Sequence, residues 1–429
     1  MTVALPPDAE RDVRSRTVAA PASLDVALLG CGTVGSAFAG LAQLEPPDRA
    51  VRITHALVRD HGRDRPTLLP DVRRIYDGRS IFATSPDVVV ELLGGIEPAR
   101  TLVLEALHRG IPVVTANKSL LAAHGGELRE AATRTATPLL YEAAVIAGVP
   151  FLGTFSRRPF AARVTGFTGI VNGTSNYVLT RARNERIGIA PALADAQRLG
   201  LAEPNPADDI DGIDAAEKLI VLLQQFAAVD VAPADVETDG IGRITAADID
   251  DARALGGTIK PVIAADWSER LRAFAGPAFV ARTHVLASVD GSENALILEG
   301  LRGRMVFRGP GAGPDVTAAT VLDDVHEAAR ATIPVTLPSL RRAQPSAPET
   351  PWFIRVTAPR LPRRIEIADL LASHGVYLQR TQRGSAGHAE GCAALTLPCS
   401  RPRIERALRA LGAAARCDVR LLRALEDGA

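Results

Sequence analysis

Residues 24–44 read LDVALLGCGTVGSAFAGLAQL. The first six form an apolar run of strand length, Gly30-Cys31-Gly32-Thr33-Val34-Gly35 follows at once, and the rest has the character of a helix. Strand, GxGxxG, helix is the context that a dinucleotide-binding turn requires. Gly30 allows the turn, Gly32 lets a pyrophosphate approach the backbone, and Gly35 lets helix and strand pack closely. The phosphates would meet the positive end of the helix, beside Thr33 and Val34. A tight glycine turn in an α/β domain without ligand is the plainer alternative.

Further strands and helices follow in the same rhythm. Residues 51–58 are a second strand, ending in Arg59-Asp60. An acid at this point favours NAD, and an arginine favours the 2′-phosphate of NADP. Arg59 leaves the strand first, so NADP is favoured and NAD stays open. Residues 87–93 (DVVVELL) are a buried strand before Gly94-Gly95, residues 98–109 a helix, and 111–115 a strand leading into Asn117-Lys118. This alternation predicts a doubly wound parallel sheet, with ligands beyond the carboxyl ends of its strands. Lys118 falls on that edge. The next short strand, 138–142, opens into AAVIAGVP (143–150), where Glu142 and turned carbonyls offer oxygens suited to a hard cation. A tight strand-to-helix connection explains the same residues.

From residue 151 the pattern becomes α+β. A strand at 163–171 ends in the polar turn Asn172-Gly173-Thr174-Ser175-Asn176-Tyr177. The stretch 200–223, GLAEPNPADDIDGIDAAEKLIVLL, begins as a loop and ends as an amphipathic helix that Asp211 is expected to cap. Asp214 and Lys218 lie four apart and project from one face, with Glu203, Asp208, Asp209 and Asp211 just upstream. Taken alone, this also fits a solvated helix start with a surface ion pair. A helical segment containing Lys260 is expected after Ile249, then strands near 274–285, 295–298 and 304–308. Another glycine-rich loop lies at 309–313, and a helix at 315–330. Residues 331–350 carry four prolines and read as a linker. Residues 351–429 have the βαββαβ pattern of a ferredoxin-like unit.

Composition sets limits. The 429 residues suffice for two or three domains. With 49 basic and 49 acidic residues the net charge is zero, so neither a nucleic acid nor a membrane surface is indicated. No apolar run is long enough to span a membrane. Cys31, Cys392, Cys399 and Cys417 fit neither a disulfide framework nor zinc-ligand spacing, which favours a reduced, cytoplasmic setting. Residues 1–22 read as a disordered tail. Of the 49 basic residues only Lys118, Lys218 and Lys260 are lysine. Where arginine has not replaced lysine, a tunable acid or a compact charge is a reason to keep it.

With these pieces in order, the chain resembles homoserine dehydrogenases over about residues 24–325. The matching motifs are GCGTVG (30–35), VVTANK (113–118), YEAAV (141–145), GIVNGTSNY (169–177), GLAEPNPADDIDGIDAAEK (200–218) and GPGAG (309–313). The resemblance implies reduction of L-aspartate 4-semialdehyde to L-homoserine with NADPH or NADH, on the route to threonine and methionine. It implies Lys218 as proton donor, Asp214 as the carboxylate that orients substrate, and Glu203 as the residue gripping the substrate amino group. Asp209 is implied as a further active-site carboxylate, and Lys118 as a cofactor-side lysine that helps proton transfer. Gly200 and Gly311 are implied to approach the cofactor. Glu142 with the carbonyls of Val145, Ala147 and Val149 resembles a sodium site.

The implied architecture is a Rossmann domain (23–150, completed by 309–330), an α+β catalytic and dimerisation domain (151–308), a linker (331–350) and a degenerate ACT-like domain (351–429). A homodimer or homotetramer is expected. Three features depart from the family pattern. Ile146 stands where a glycine is usual, Ser175 replaces a threonine, and the turn at 358–363 lacks the glycine of an amino-acid-binding ACT domain. Amino-acid feedback through that turn is therefore expected to be lost or altered. Two other readings compete: a paralogous dehydrogenase for a related aldehyde or keto acid, and a non-catalytic nicotinamide-binding sensor.

Overall fold

The computed structural model describes residues 23–60, 62, 64–156, 163–330, 339–346, 349–384, 390–415 and 417–426. The tail expected at 1–22 and part of the expected linker, 331–338 and 347–348, lie outside these.

The first sheet holds β1 (Ser23–Leu29), β2 (Ala50–Leu57), β3 (Arg73–Ile75), β4 (Val88–Glu91), β5 (Val113–Thr115) and β6 (Leu139–Leu140). Its order is β3-β2-β1-β4-β5-β6, and every pairing is parallel. The reversal of strand order between β1 and β4 is the switch point at which such sheets bind ligands. Strand alternation covers both faces. Ala27, Leu29 and Val89 enter one apolar core, while Val26, Leu28, Val88 and Val90 enter the other. Helices α1 (Thr33–Ala42), α2 (Ala99–His108) and α3 (Lys118–Thr135) supply the layers, and α4 (Leu152–Ser156) leads out of this half.

The second sheet is larger. Its strands are β7 (Val164–Ile170), β9 (Glu237–Thr238), β10 (Gly257–Asp266), β11 (Arg272–Ala281), β12 (Glu293–Gly300), β13 (Gly303–Pro310), β15 (Trp352–Ala358), β16 (Leu378–Gly384), β17 (Glu390–Thr396) and β18 (Asp418–Leu425). They run β13-β12-β7-β10-β11-β18-β15-β17-β16, with β9 also paired to β11. Around them lie α5 (Gly173–Glu185), α6 (Ile189–Arg198), α7 (Ala207–Ile210), α8 (Ile213–Phe226) and α9 (Ala246–Ala254). Helix α10 (Pro314–Arg330) then returns to the first half, where Ala318, Val321 and Val325 share the core of Phe38 and Ala39 on α1. A small pair, β8 (Val229–Asp230) with β14 (Arg341–Arg342), gives part of the expected linker a fixed place.

The C-terminal unit, with α11 (Arg364–Ser373) and α12 (Arg401–Ala415), has the βαββαβ order expected of it. It does not stand apart. Strand β18 pairs in parallel with β11 over Ala278↔Arg423, Phe279↔Ala424 and Val280↔Leu425, so one sheet runs through both units. Phe279 and Phe353 stack across the junction with centroids 5.9 Å apart, in one core with Leu395 and Leu422.

Two expectations are corrected. Lys260 lies on β10 and not on a helix: Pro261 would break a helix, whereas here it faces Pro277 across the antiparallel pair. Asp211 does not cap α8. It ends α7, and Gly212, at φ 82°, turns the chain into α8. A Cβ on Gly212 would meet Asp239 O at 2.8 Å, so the corner requires glycine twice over.

Truncating the shared core tests its contribution. Phe353→Ala is expected to cost about 3–5 kcal/mol, read as a lower urea midpoint at unchanged slope. An unchanged midpoint would show that the junction adds nothing to stability.

Candidate active site

Helix α8 presents Asp214 and Lys218 one turn apart on a single face. Lys218 Nζ donates to Asp214 Oδ2 at 2.8 Å and to Val171 O at 2.9 Å. The other oxygen, Asp214 Oδ1, lies 3.3 Å from Lys118 Nζ at the start of α3. One carboxylate therefore holds two ammonium groups. Asn172, at the N-terminus of α5, adds a third contact: its Nδ2 donates to Asp214 Oδ2 at 2.7 Å and to Asp209 Oδ1 at 2.6 Å. Its Oδ1 accepts Ser175 N–H at 2.8 Å, which caps α5 and fixes the amide's orientation. The hydroxyl of Ser175, the residue that departs from the usual threonine, donates to Asp209 O at 2.7 Å.

Burial opposes charge here and is overcome. Desolvation would raise the Asp214 carboxyl, but Lys218 and Lys118 outweigh it and hold it below the usual carboxylate value. Desolvation likewise works against the Lys118 ammonium, and Asp214 and Glu217 more than compensate, so its pKa is raised. Both partners stay ionised across neutral pH.

Lys118 is positioned from behind. Asn117 caps α3 by accepting Leu120 N–H at 3.1 Å, and its Nδ2 donates to Gly95 O at 2.7 Å. Beneath it Glu91, wholly buried at the end of β4, accepts from Thr115 Oγ1 at 2.6 Å, Leu93 N at 2.8 Å and Asn117 Nδ2 at 3.3 Å. Burial pushes the Glu91 carboxyl up, and these donors pull against it.

The charged cluster opens into a cavity of about 690 Å³. Of the residues singled out in the sequence, Val34, Lys118, Ala147, Gly200, Glu203, Asp209, Asp214, Lys218 and Gly311 line it. At its far side is the glycine turn. Gly30 has φ 98°, and a Cβ on it would meet Leu92 O at 2.6 Å; a Cβ on Gly35 would collide with Gly30 O. Beside Gly32, by contrast, there is open space, and α1 begins with no side-chain cap on its N–H groups. Free amides at a helix start with room in front of them fit a pyrophosphate. Arg59 lines a second cavity, of about 440 Å³, with Arg79 and Tyr76. Gly94 borders both cavities, which adjoin beyond the end of β4. Asp60 does not line the second cavity; its Oδ1 accepts Gly62 N–H at 2.8 Å.

The loop after β6 holds the residues of the cation site that the resemblance implied. Glu142 Oε1 accepts the N–H groups of Phe151 and Leu152 at 2.6 and 2.8 Å, and Oε2 that of Gly153 at 2.6 Å. Its carboxylate is thus committed to the start of α4. Ala147 O accepts the Thr320 hydroxyl at 2.5 Å. Among the described residues no group of three His, Cys, Asp or Glu is placed to hold a metal. Ile146 lines the main cavity, is buried, and sits at φ 51°. Left-handed backbone costs a β-branched residue about 1–2 kcal/mol, which burial of its side chain, about 1.5–3 kcal/mol, offsets.

Asn117 lies at the ligand edge and Asn172 opens the polar turn singled out in the sequence, but neither was given a role, and Glu91 was not singled out. Asn172 stands inside GIVNGTSNY, and an Asn directly before a helix was the signal available.

The chain is similar to known proteins over most of its length. The homoserine dehydrogenase family model matches residues 150–326, and the model of the homoserine dehydrogenase NAD-binding domain matches residues 30–142. A homoserine dehydrogenase of Synechocystis sp. is 38% identical over 315 residues, covering 71% of this chain and 72% of that protein. The crystal structure of a homoserine dehydrogenase from Thiobacillus denitrificans superposes with a TM-score of 0.85 at 29% identity, covering 94% of this chain and 98% of that one. A hyperthermophilic archaeal homoserine dehydrogenase in complex with NADPH shares the fold, with a TM-score of 0.60 at 23% identity over 71% of this chain and 97% of that one. By family match, by identity over most of its length and by fold, the chain belongs to the homoserine dehydrogenase family.

Proposed function

We propose that the protein reduces L-aspartate 4-semialdehyde to L-homoserine with a nicotinamide cofactor, Lys218 being the proton donor. The observation that carries this reading is the Asp214 carboxylate between Lys118 and Lys218, on the wall of a cavity that also reaches the glycine turn. When bound, the cofactor supplies the hydride that reaches the aldehyde carbon. Oxygen then gains negative charge and needs a proton and a nearby cation. Lys218 spends two of its three N–H groups on Asp214 and Val171 O, leaving one for the substrate oxygen. Lys118 adds positive charge from the other half of the molecule. A guanidinium at either place would supply charge but would be a poor acid.

Glu203 reaches the same cavity from the loop after α6 and suits the substrate ammonium. The first turn of α5, Gly173 and Thr174, also lines it. Helix starts leave N–H groups without intrahelical partners, which suits the substrate carboxylate. Asp209, tied to Asp214 through Asn172, keeps the negative side of the cluster in place. NADPH is favoured over NADH, because Arg59 and Arg79 line the cavity beyond β2 while Asp60 does not.

A cytoplasmic setting fits four free cysteines, and among the described residues no helix is long and apolar enough to cross a membrane. We read the protein as a homodimer or homotetramer, with the exposed apolar residues Leu301 and Val306 available to a second copy. The C-terminal βαββαβ unit is read as a degenerate ACT-like domain. The intact lysine–aspartate set and the family match leave the sensor and paralogue readings without support.

A coupled absorbance assay with aspartate semialdehyde and either NADPH or NADH tests the reaction directly; no turnover with either cofactor would end this reading. Lys218→Ala is expected to lower kcat by about 10²–10⁴-fold while cofactor binding, followed by fluorescence, is kept. Near-normal turnover would remove Lys218 from its role. Arg59→Ala should weaken NADPH more than NADH, and equal weakening would refute the 2′-phosphate contact.

Asp214→Asn is expected to cost stability as well as rate, about 3–5 kcal/mol at neutral pH. Because the folded Asp214 pKa is depressed, its contribution is complete above the unfolded value of 3.8 and is lost as pH falls through the folded one. The deficit of the variant should therefore hold from pH 7 down to about 3.8 and shrink below it. A deficit independent of pH would show that the carboxylate's charge is not what stabilises the cluster.

A further inference from the structure

Residues 239–241 press against the corner that carries the two catalytic-site aspartates. Ile241 N–H donates to Ile210 O at 2.8 Å. A Cβ on Gly240 would meet Ile210 O at 2.6 Å, and one on Gly212 would meet Asp239 O at 2.8 Å. The corner, 210–212, joins α7, which bears Asp209, to α8, which bears Asp214. Its position is thus set by the backbone at 239–241, which follows β9 directly.

Strand β9 is two residues long and pairs with β11 at Phe274↔Glu237 and Ala275↔Thr238, and Asp239 N–H donates to Ala275 O at 2.9 Å. A further restraint comes from the C-terminal unit. Arg401, on α12, donates to Glu237 Oε1, and Arg423, on β18, donates to Glu237 Oε2 at 2.6 Å. Arg423 is 5% exposed and lies over the rings of Phe274 and Trp352, at 4.9 and 5.0 Å. Two guanidiniums on one carboxylate form a well-defined charge-assisted contact. Docking of the C-terminal unit does not depend on it, since β11–β18 pairing and the 2.7 Å Arg355–Asp251 pair hold that unit elsewhere.

We propose that Glu237, gripped by Arg401 and Arg423, is a positioning residue that fixes the Asp209–Asp214 corner, so that the C-terminal unit completes the active site. This rests on the dehydrogenase reading above. Wild-type turnover is therefore measured first: its absence defeats that reading, whereas the present proposal is decided by variants of an active enzyme. In Glu237→Gln the corner loosens, and kcat falls about tenfold, while the dissociation constant for NADPH, measured by fluorescence, stays within twofold. A purely structural contact would not separate the two. An unchanged kcat, or a parallel loss of cofactor affinity, overturns the proposal. If Glu237→Gln does not fold, the pair Arg401→Ala and Arg401→Lys decides, because the Arg401 side chain is partly exposed. Arg401→Ala should lower kcat and Arg401→Lys should restore at least half of it. Equal rates in the two variants overturn the proposal.

Discussion

Asp214 accepts contacts from two lysines that belong to different halves of the molecule: Lys118 enters from the parallel sheet, and Lys218 from the helix over the mixed sheet. Each charge is at least partly withdrawn from water, and an ion pair in such a place repays its desolvation only with good geometry and further hydrogen bonds. Asn172 and Val171 O provide those bonds. The cluster keeps the Lys118 ammonium charged beside the cavity.

That arrangement demands that the two sheets be locked together, and the chain does this by crossing twice. It leaves the first half after β6 and returns as α10, which packs on α1. Gly311 lies on the return crossing. Its Cα faces the Asn294 side chain, leaving no room for a Cβ, so the crossing can run close along the cavity wall. Glu142 serves the same end. By gathering three N–H groups at the start of α4, it fixes the outward crossing as a tight corner. Those hydrogen bonds give the carboxylate a mechanical task.

The glycine turn, the strand rhythm and the Asp214–Lys218 spacing were legible in the sequence because each is local. Their signals lie within one turn, one strand or one helix face. What could not be read is the set of partners distant along the chain. Asn172 meets Asp209 and Asp214 across 37 and 42 positions, and Glu142 meets Asp324 across 182. At Lys260 the local signal against a helix was there in Pro261, while the partner that makes the segment a strand, β11 with Pro277 opposite Pro261, is set by pairing. The junction of the C-terminal unit was hidden as well, since a proline-rich stretch in front of it looks like a linker whether or not the strands beyond rejoin the sheet.

The three lysines show how far composition can be trusted. Two of them, Lys118 and Lys218, stand at the cavity where a compact, titratable cation has a chemical reason. Lys260 does not: it is 1% exposed in β10, and its Nζ donates to Val289 O at 2.5 Å, Asp290 Oδ1 at 2.6 Å and Asn176 Oδ1 at 3.4 Å. Burial lowers its pKa, and Asp290 works in the opposite direction. Three acceptors in different directions match the three donors of an ammonium, whereas a planar guanidinium would bring five donors and leave some buried without partners. Arginine is excluded there by hydrogen-bond count, whereas at Lys218 the reason is the proposed proton transfer. The same residue survives for two unrelated physical reasons, and only the surroundings of each nitrogen tell them apart.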